Sequence, residues 1–310
     1  MIFFVIIIMV IHMFKRNDTL EVQIKNKKIG SGNPILIQSM TNTKTKDVDS
    51  TIKQIIELEK YGCNIIRVAV LDLEDAKAIS QIKEKISIPL VADIHFDPNL
   101  AIEAILSGAD KIRLNPGNIK NKEKIIEIVN LCKEKNIPIR IGVNAGSLPK
   151  GMSPTAQNMI KACKMHVSIL EELDFKNIVL SLKASSIDLS YEAYKLASQE
   201  FPYPLHIGIT EAGTSFKGLI KSSIGLTKIL ELGIGDTIRV SLTGDPKDEV
   251  IAAKEQEIRS NEVSMELMKA ESEYGAFVNS VFNLISATIQ GQDTQGGCDP
   301  SCCSSCSGCH

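Results

Sequence analysis

Four arginines stand inside short apolar runs, where a charged side chain has no ordinary place. They are Arg67 in N-I-I-R-V, Arg113 in K-I-R-L-N-P-G-N, Arg140 in P-I-R-I-G-V-N and Arg239 in T-I-R-V-S-L. Lys183 closes a fifth such run and His206 lies within a sixth. An unpaired cation in a strand core is costly, because desolvation is not repaid. The obvious acidic partners are Asp93, in V-A-D-I-H-F-D, and Glu211, in I-G-I-T-E-A-G. The cationic surplus calls for an anionic ligand, and one with more than one phosphate suits it best. Internal salt bridges, with some arginines turned outward, are the competing reading; they explain any one arginine more readily than all of them.

Asn115, Asn144 and Ser241 each follow an arginine by two or more residues and fall at the loop ends of their runs. There they are placed for hydrogen bonding to a ligand, although turn chemistry competes, above all for Asn115 before Pro116-Gly117. His95 and His206 lack the paired His/Cys spacing of a zinc site and read as polar contacts or as satisfied core histidines. No nucleophile elbow, P-loop or kinase motif is present.

Eight runs must carry these residues: 34–40, 64–70, 89–95, 111–117, 138–144, 177–183, 204–210 and 237–243. Helical patterns lie between them, for example Val48–Tyr61 with Ile52, Ile55, Ile56 and Leu58 apolar. Gly62, Gly108 and Gly233 sit where helices should stop. Near-continuous apolar strands alternating with helices predict a parallel sheet covered by helices. Eight such units match an α/β fold of the (β/α)8 TIM-barrel class, typically about 250 residues. A doubly wound open sheet is disfavoured because no G-x-G-x-x-G follows the first strand. A short polar strand pair, Leu20–Ile24 and Lys28–Ile29, precedes the first unit.

The chain has 310 residues, 44% of them hydrophobic, and a net charge of −2, which excludes a disordered chain and argues against a nucleic-acid binder. Cys63, Cys132 and Cys163 are scattered, as reduced buried thiols of a cytoplasmic protein would be. Residues 2–14 are apolar except His12, too short for a membrane span of about 18 residues or more. They read as an extension upstream of a working start at Met13 rather than Met1, with a membrane-contacting segment as the alternative. Residues 1–19 are accordingly an N-terminal extension and 20–254 the barrel.

Eight motifs in order give the barrel a family likeness. Q-S-M-T-N-T (38–43), V-A-D-I-H-F-D (91–97), R-L-N-P-G-N (113–118) and I-R-I-G-V-N-A-G-S-L (139–148) are followed by four more. These are S-L-K-A-S (181–185), L-H-I-G-I-T-E-A-G (205–213), K-S-S-I-G-L (221–226) and G-D-T-I-R-V-S-L (235–242). The set resembles the 4-hydroxy-3-methylbut-2-enyl diphosphate synthases of the methylerythritol phosphate route to isoprenoids. The resemblance implies an oxidoreductase that reductively opens and dehydrates 2-C-methyl-D-erythritol 2,4-cyclodiphosphate. It implies a [4Fe–4S] cluster, ferredoxin or flavodoxin as electron donor, and a homodimer. It makes Arg67, Arg113, Arg140, Lys183 and Arg239 diphosphate ligands, with Asn115, Asn144, His206 and Ser241 adding hydrogen bonds. Asp93 and Glu211 would lie near the reacting ring, Glu211 as proton donor to the departing hydroxyl. A pterin-binding barrel like dihydropteroate synthase is the alternative, opposed by the arginine count and the T-E-A-G motif.

The likeness stops near Lys254. The C-P-x-C and N-G-P-G-E segments of the family's cluster domain do not occur, so the barrel is expected to be truncated before that domain. Residues 255–310 instead carry eight acids against two bases, an amphipathic stretch including Phe277, Val281 and Ile285, and a Cys-rich end. The C-x2-C spacings of Cys303, Cys306 and Cys309 make them candidate metal ligands. A modified-peptide precursor and a fusion of a foreign end to a non-catalytic barrel are the other readings of this tail.

Overall fold

The computed structural model describes residues 18–210, 215–259 and 262–289. The chain divides into two compact units, Met1–Ser260 and Asn261–His310. The first opens with a hairpin of β1 (Val22–Ile24) and β2 (Lys27–Ile29). Eight parallel strands follow: β3 (Leu36–Met40), β4 (Ile65–Ala69), β5 (Leu90–Asp93), β6 (Lys111–Arg113), β7 (Ile139–Asn144), β8 (Ile178–Lys183), β9 (His206–Ile207) and β10 (Thr237–Ile238). Helices alternate with them: α1 (Val48–Lys60), α2 (Leu73–Lys83), α3 (Pro98–Leu106), α4 (Lys122–Glu134), α5 (Ala156–Glu172), α6 (Ile187–Glu200), α7 (Ser215–Leu230) and α8 (Pro246–Arg259).

The strand order is β8-β7-β6-β5-β4-β3-β10-β9. Between the outer two, Leu180 N donates to Pro204 O at 2.9 Å and Leu180 bridges Leu205, which brings the sheet round into a barrel. The expected (β/α)8 architecture is therefore the one observed. Its helices start where the sequence supplies a side-chain acceptor for a free N–H. Asp47, Asp72, Asp97, Asn121, Thr155 and Ser186 each cap the helix that follows, a contribution of about 1 kcal/mol apiece. Gly62, Gly108 and Gly233, all at positive φ, stop α1, α3 and α7 without a Cβ penalty.

Two apolar cores result. The larger lies between strands and helices and includes Ile66, Val68, Ile79, Ile112, Ile141 and Leu182. The smaller closes the barrel's N-terminal end, where Val22, Ile24 and Ile29 pack on Leu36, Ile65, Val91 and Val179. The hairpin, polar by composition, is thus an apolar plug on its inner face. Its Lys28 faces outward.

The second unit contains one long helix, α9 (Glu262–Ile289), on which Tyr274, Phe277, Phe282, Leu284 and Ile285 are exposed. Cys303, Cys306 and Cys309 lie outside the described residues, as does Glu211. Among the described residues no helix is long and apolar enough to cross a membrane.

Candidate functional site

Side chains alternate across a strand, so the register decides what the barrel interior holds. Arg67 pairs with Val91, which pairs with Lys111; Asp93 pairs with Arg113, which pairs with Arg140; Asn144 pairs with Lys183. His206 pairs with Thr237, two residues before Arg239. These residues share the inward parity of their strands. The smaller core fills the bottom, and above it the filling turns polar instead of apolar.

At the C-terminal end this polar filling opens into a cup of about 420 Å³, counting the solvent in its mouth. Its walls are Arg67, Arg113, Arg140, Lys183 and Arg239, with Gly142, Asn144, Ser181, Thr210 and Ser241. All five cations singled out in the sequence therefore converge, from five different strands, together with Asn144 and Ser241. Ser181 and Thr210 add hydroxyls whose presence follows from strand alternation alone.

Asp93 is the anchor of the cup. It is buried, with Arg67 Nε at 3.7 Å and Arg113 Nη1 at 3.5 Å. Burial would raise its pKa, but Arg67, Arg113 and Arg140 hold the carboxyl below the ordinary range. Arg67 also donates to Met40 Sδ, from Nη2 at 2.8 Å and Nε at 3.1 Å. Burial brings the Arg67 pKa down to about 10 despite Asp93. His95 stands beside the pair, half exposed, with Nδ1 3.5 Å from Arg113.

A second carboxylate that the strand motifs do not reveal is Glu249, on α8. It is buried, lies 3.3 Å from Arg239 Nη2 and accepts from Leu242 N at 2.9 Å. The expectation that Asp93 and Glu211 are the only nearby acids is corrected here. Glu249 reaches Arg239 because α8 packs back on the sheet, which no local pattern announces. Even so, five cations face two described carboxylates. Burial lowers the pKa of Arg140 and of Lys183, and in both cases neighbouring guanidiniums lower it further.

Two expected ligand contacts sit elsewhere. Asn115 donates from Nδ2 to Gly142 O at 2.8 Å and accepts at Oδ1 from Gly142 N at 2.9 Å. Its amide thus clasps β7 and is not part of the cup wall. His206 is fully buried below the cup, with Nδ1 2.7 Å from Thr237 Oγ1. Lys111, two residues below Arg113 on the same face, is fully buried, although its place at the start of a short strand gives it the look of an exposed edge lysine in the sequence.

Glycine is required where the walls crowd. A Cβ at Gly208 would stand 2.5 Å from Arg239 O and 2.7 Å from Lys183 Nζ, so only a bare backbone leaves Lys183 its place. At Gly142 the nearest atom would be Arg113 Nε at 3.2 Å.

Among the described residues no group of three or more His, Cys, Asp or Glu side chains could hold a metal. Cys63, Cys132 and Cys163 are buried apart from one another, and burial pushes each thiol up to about 12. Cluster ligands must be thiolates, so these residues do not fit an iron–sulfur cluster. What the cup can do is bind and orient a polyanion away from bulk water.

Comparison with known proteins adds sequence and fold relatives. Residues 19–254 match the family described as GcpE TIM-barrel domain. The 4-hydroxy-3-methylbut-2-en-1-yl diphosphate synthase (flavodoxin) of Clostridium perfringens is 55% identical over 245 residues, covering 77% of this chain and 70% of that protein. The enzyme of the same name from Geobacillus thermodenitrificans is also 55% identical over 245 residues, covering 77% and 66%. That from Caldanaerobacter subterraneus is 58% identical over 242 residues, covering 76% and 68%. The match thus spans about two thirds of these relatives' length. Among solved structures, the Yersinia pestis dihydropteroate synthase superposes with a TM-score of 0.58 at 11% identity, over 78% of this chain and 98% of that one. The Leptospira borgpetersenii N-acetylneuraminic acid synthetase gives 0.56 at 13%, over 82% and 97%. At such identity these two establish the barrel fold and nothing finer.

Proposed function

The chain belongs to the GcpE TIM-barrel domain family, and from that premise we propose that its barrel is the substrate-binding part of a 4-hydroxy-3-methylbut-2-en-1-yl diphosphate synthase. The reaction is the reductive ring opening and dehydration of 2-C-methyl-D-erythritol 2,4-cyclodiphosphate. One observation carries the reading: five basic side chains from five strands meet in one cup against two described carboxylates. A cyclic diphosphate supplies the missing negative charge in a compact form, and guanidiniums suit its oxygens geometrically.

In this reading Arg67, Arg113, Arg140, Lys183 and Arg239 hold the diphosphate, while Asn144, Ser181 and Ser241 donate to its remaining oxygens. Asp93 fixes Arg67 and Arg113 and, with Glu211, is assigned a place near the reacting ring. Asn115 and His206 act from behind the wall, through Gly142 and Thr237 respectively. Glu211 delivers the proton that lets the hydroxyl leave as water. The [4Fe–4S] cluster that the family resemblance implies would supply electrons, but the described residues do not fit it. The barrel's own work is therefore binding, orientation and exclusion of water.

The same reading takes flavodoxin or ferredoxin as donor, two identical chains as the working unit and the cytoplasm as location; the relatives' names support flavodoxin. It assigns residues 20–254 to substrate binding and 255–310 to a tail outside the family pattern. The test is Arg140→Ala. Loss of charge-assisted hydrogen bonds should weaken cyclodiphosphate binding by about 1.5–3 kcal/mol. An unchanged affinity overturns the placement of the diphosphate.

A further inference from the structure

Beneath the cup lies a polar layer that the binding reading does not use. Lys111 Nζ, His206 Nε2 and both ends of the Gln38 amide are buried in the barrel interior with no hydrogen-bond partner. Lys111 sits two residues below Arg113 on the inward face of β6, and its register row runs through Val91 to Arg67. His206 sits at the level of Thr237, two residues below Arg239. Lys111 is therefore one step deeper than Arg113 on its own strand, and His206 one step deeper than Arg239, on the side of the apolar plug.

What surrounds these two bases is cationic. The charges of Arg140 on β7 and Arg67 on β4 bear on Lys111; those of Lys183 on β8, Arg140 and Arg67 bear on His206. The described carboxylates are already engaged, Asp93 with Arg67 and Arg113, Glu249 with Arg239. A buried ammonium with no hydrogen-bond partner among the protein's atoms and cations for its charged neighbours is strongly disfavoured. A neutral amine in the same place is merely unsatisfied. The balance reverses once a dianion enters the cup above, because each negative charge then offsets one of the positive neighbours.

We propose that Lys111, with His206, forms a proton-accepting floor under the cup, so that an anionic ligand binds together with a proton taken from solvent onto this floor. The proposal rests on the cup being the diphosphate site. Burial first, and then neighbouring cations, the guanidiniums for Lys111 and Lys183 followed by the guanidiniums for His206, lower the pKa of both groups, so that each can take up a proton when the ligand binds. The proton bound on ligation comes from water or buffer and is released when the ligand leaves. The sign follows: the ligated state holds more protons than the empty one, so affinity rises as pH falls through the window between the two states.

The experiment is calorimetric titration of the full chain with 2-C-methyl-D-erythritol 2,4-cyclodiphosphate in two buffers of different ionisation enthalpy. Each phosphorus of that ring bears one strongly acidic oxygen, so the ligand is a dianion throughout and any proton change belongs to the protein. The expected result is a binding heat that differs between buffers with the sign of uptake. In Lys111→Met most of that difference should vanish while binding persists at weakened affinity. Binding with equal heats in both buffers overturns the floor and leaves the cup standing. Full uptake in Lys111→Met overturns the role of Lys111. Absence of any binding overturns the cup and the floor together. Should Lys111→Met fail to fold, the buffer dependence of the unaltered chain still decides.

Discussion

Replacing Asp93 by Asn keeps the shape of the side chain and removes one negative charge from among three guanidiniums. The carboxylate is buried and within 3.5–3.7 Å of Arg113 and Arg67. Breaking a buried pair from one side costs about 3–5 kcal/mol. Contacts here are longer than the roughly 2.8 Å of a strong charge-assisted bond, so a loss of about 2–3 kcal/mol is expected, at or below the low end of that range. The empty cup is destabilised, yet it becomes more positive by one charge, and a dianion should repair it more than it stabilises the original protein. Ligand at a hundredfold excess over the original protein's Kd adds about 2.7 kcal/mol to that protein, and at the same concentration the Asp93→Asn gain should be larger. The assay is urea unfolding with and without the cyclodiphosphate, comparing midpoints at unchanged slope. Acid gives a second reading. The folded-state pKa of Asp93 is depressed, so its contribution is complete above the unfolded value of about 3.9 and is lost as pH falls through the lower folded value. The stability gap to Asp93→Asn should close there. An equal gap with and without ligand at neutral pH refutes the idea that Asp93 serves as internal counter-ion to the cup.

Three further outcomes follow from the same geometry. Gly208→Ala drives a methyl against the Arg239 carbonyl and Lys183 Nζ. It should cost about 1–3 kcal/mol of stability and weaken ligand binding as well; chemical denaturation and calorimetry on one sample check both. Asn115→Ala removes both bonds to the Gly142 backbone. It should destabilise the fold by about 1–3 kcal/mol with a smaller loss of affinity than Arg140→Ala, a ranking that equilibrium binding can reverse. Lys111→Met removes an orphaned amine and should stabilise the ligand-free protein at neutral pH by about 1–3 kcal/mol. Because the folded-state pKa of Lys111 is depressed, that gain should shrink as pH rises toward the unfolded value of about 10.4, as urea midpoints across the pH range would show.

The barrel was readable because its signal is periodic. Eight apolar runs, helix-capping Asp, Asn, Thr and Ser residues, and stop glycines all depend on local chemistry. The arginines stood out because strand interiors exclude unpaired charge, and alternation put Arg67, Arg113, Arg140 and Arg239 on the inner face. Glu249 was not readable, since its tie to Arg239 is made by the packing of α8 and not by any spacing along the chain. Lys111 was readable in principle: it stands two residues before Arg113, and the period of two puts both inside. At the start of a short strand, however, a lysine looks like an ordinary exposed edge. The hairpin plug was hidden in the same way, with Val22, Ile24 and Ile29 too few to read as a buried face. Asn115 and His206 are legible as polar residues of these runs, but whether such a side chain meets ligand or backbone depends on the neighbouring strand.

The most direct measurement is calorimetric titration of the full chain, without iron, with 2-C-methyl-D-erythritol 2,4-cyclodiphosphate. All the cations proposed to hold the ligand belong to the barrel, so saturable one-to-one binding is expected, weakened by added salt as paired charges are screened. No heat, together with no shift of the unfolding midpoint at saturating ligand, would contradict the assignment of the cup.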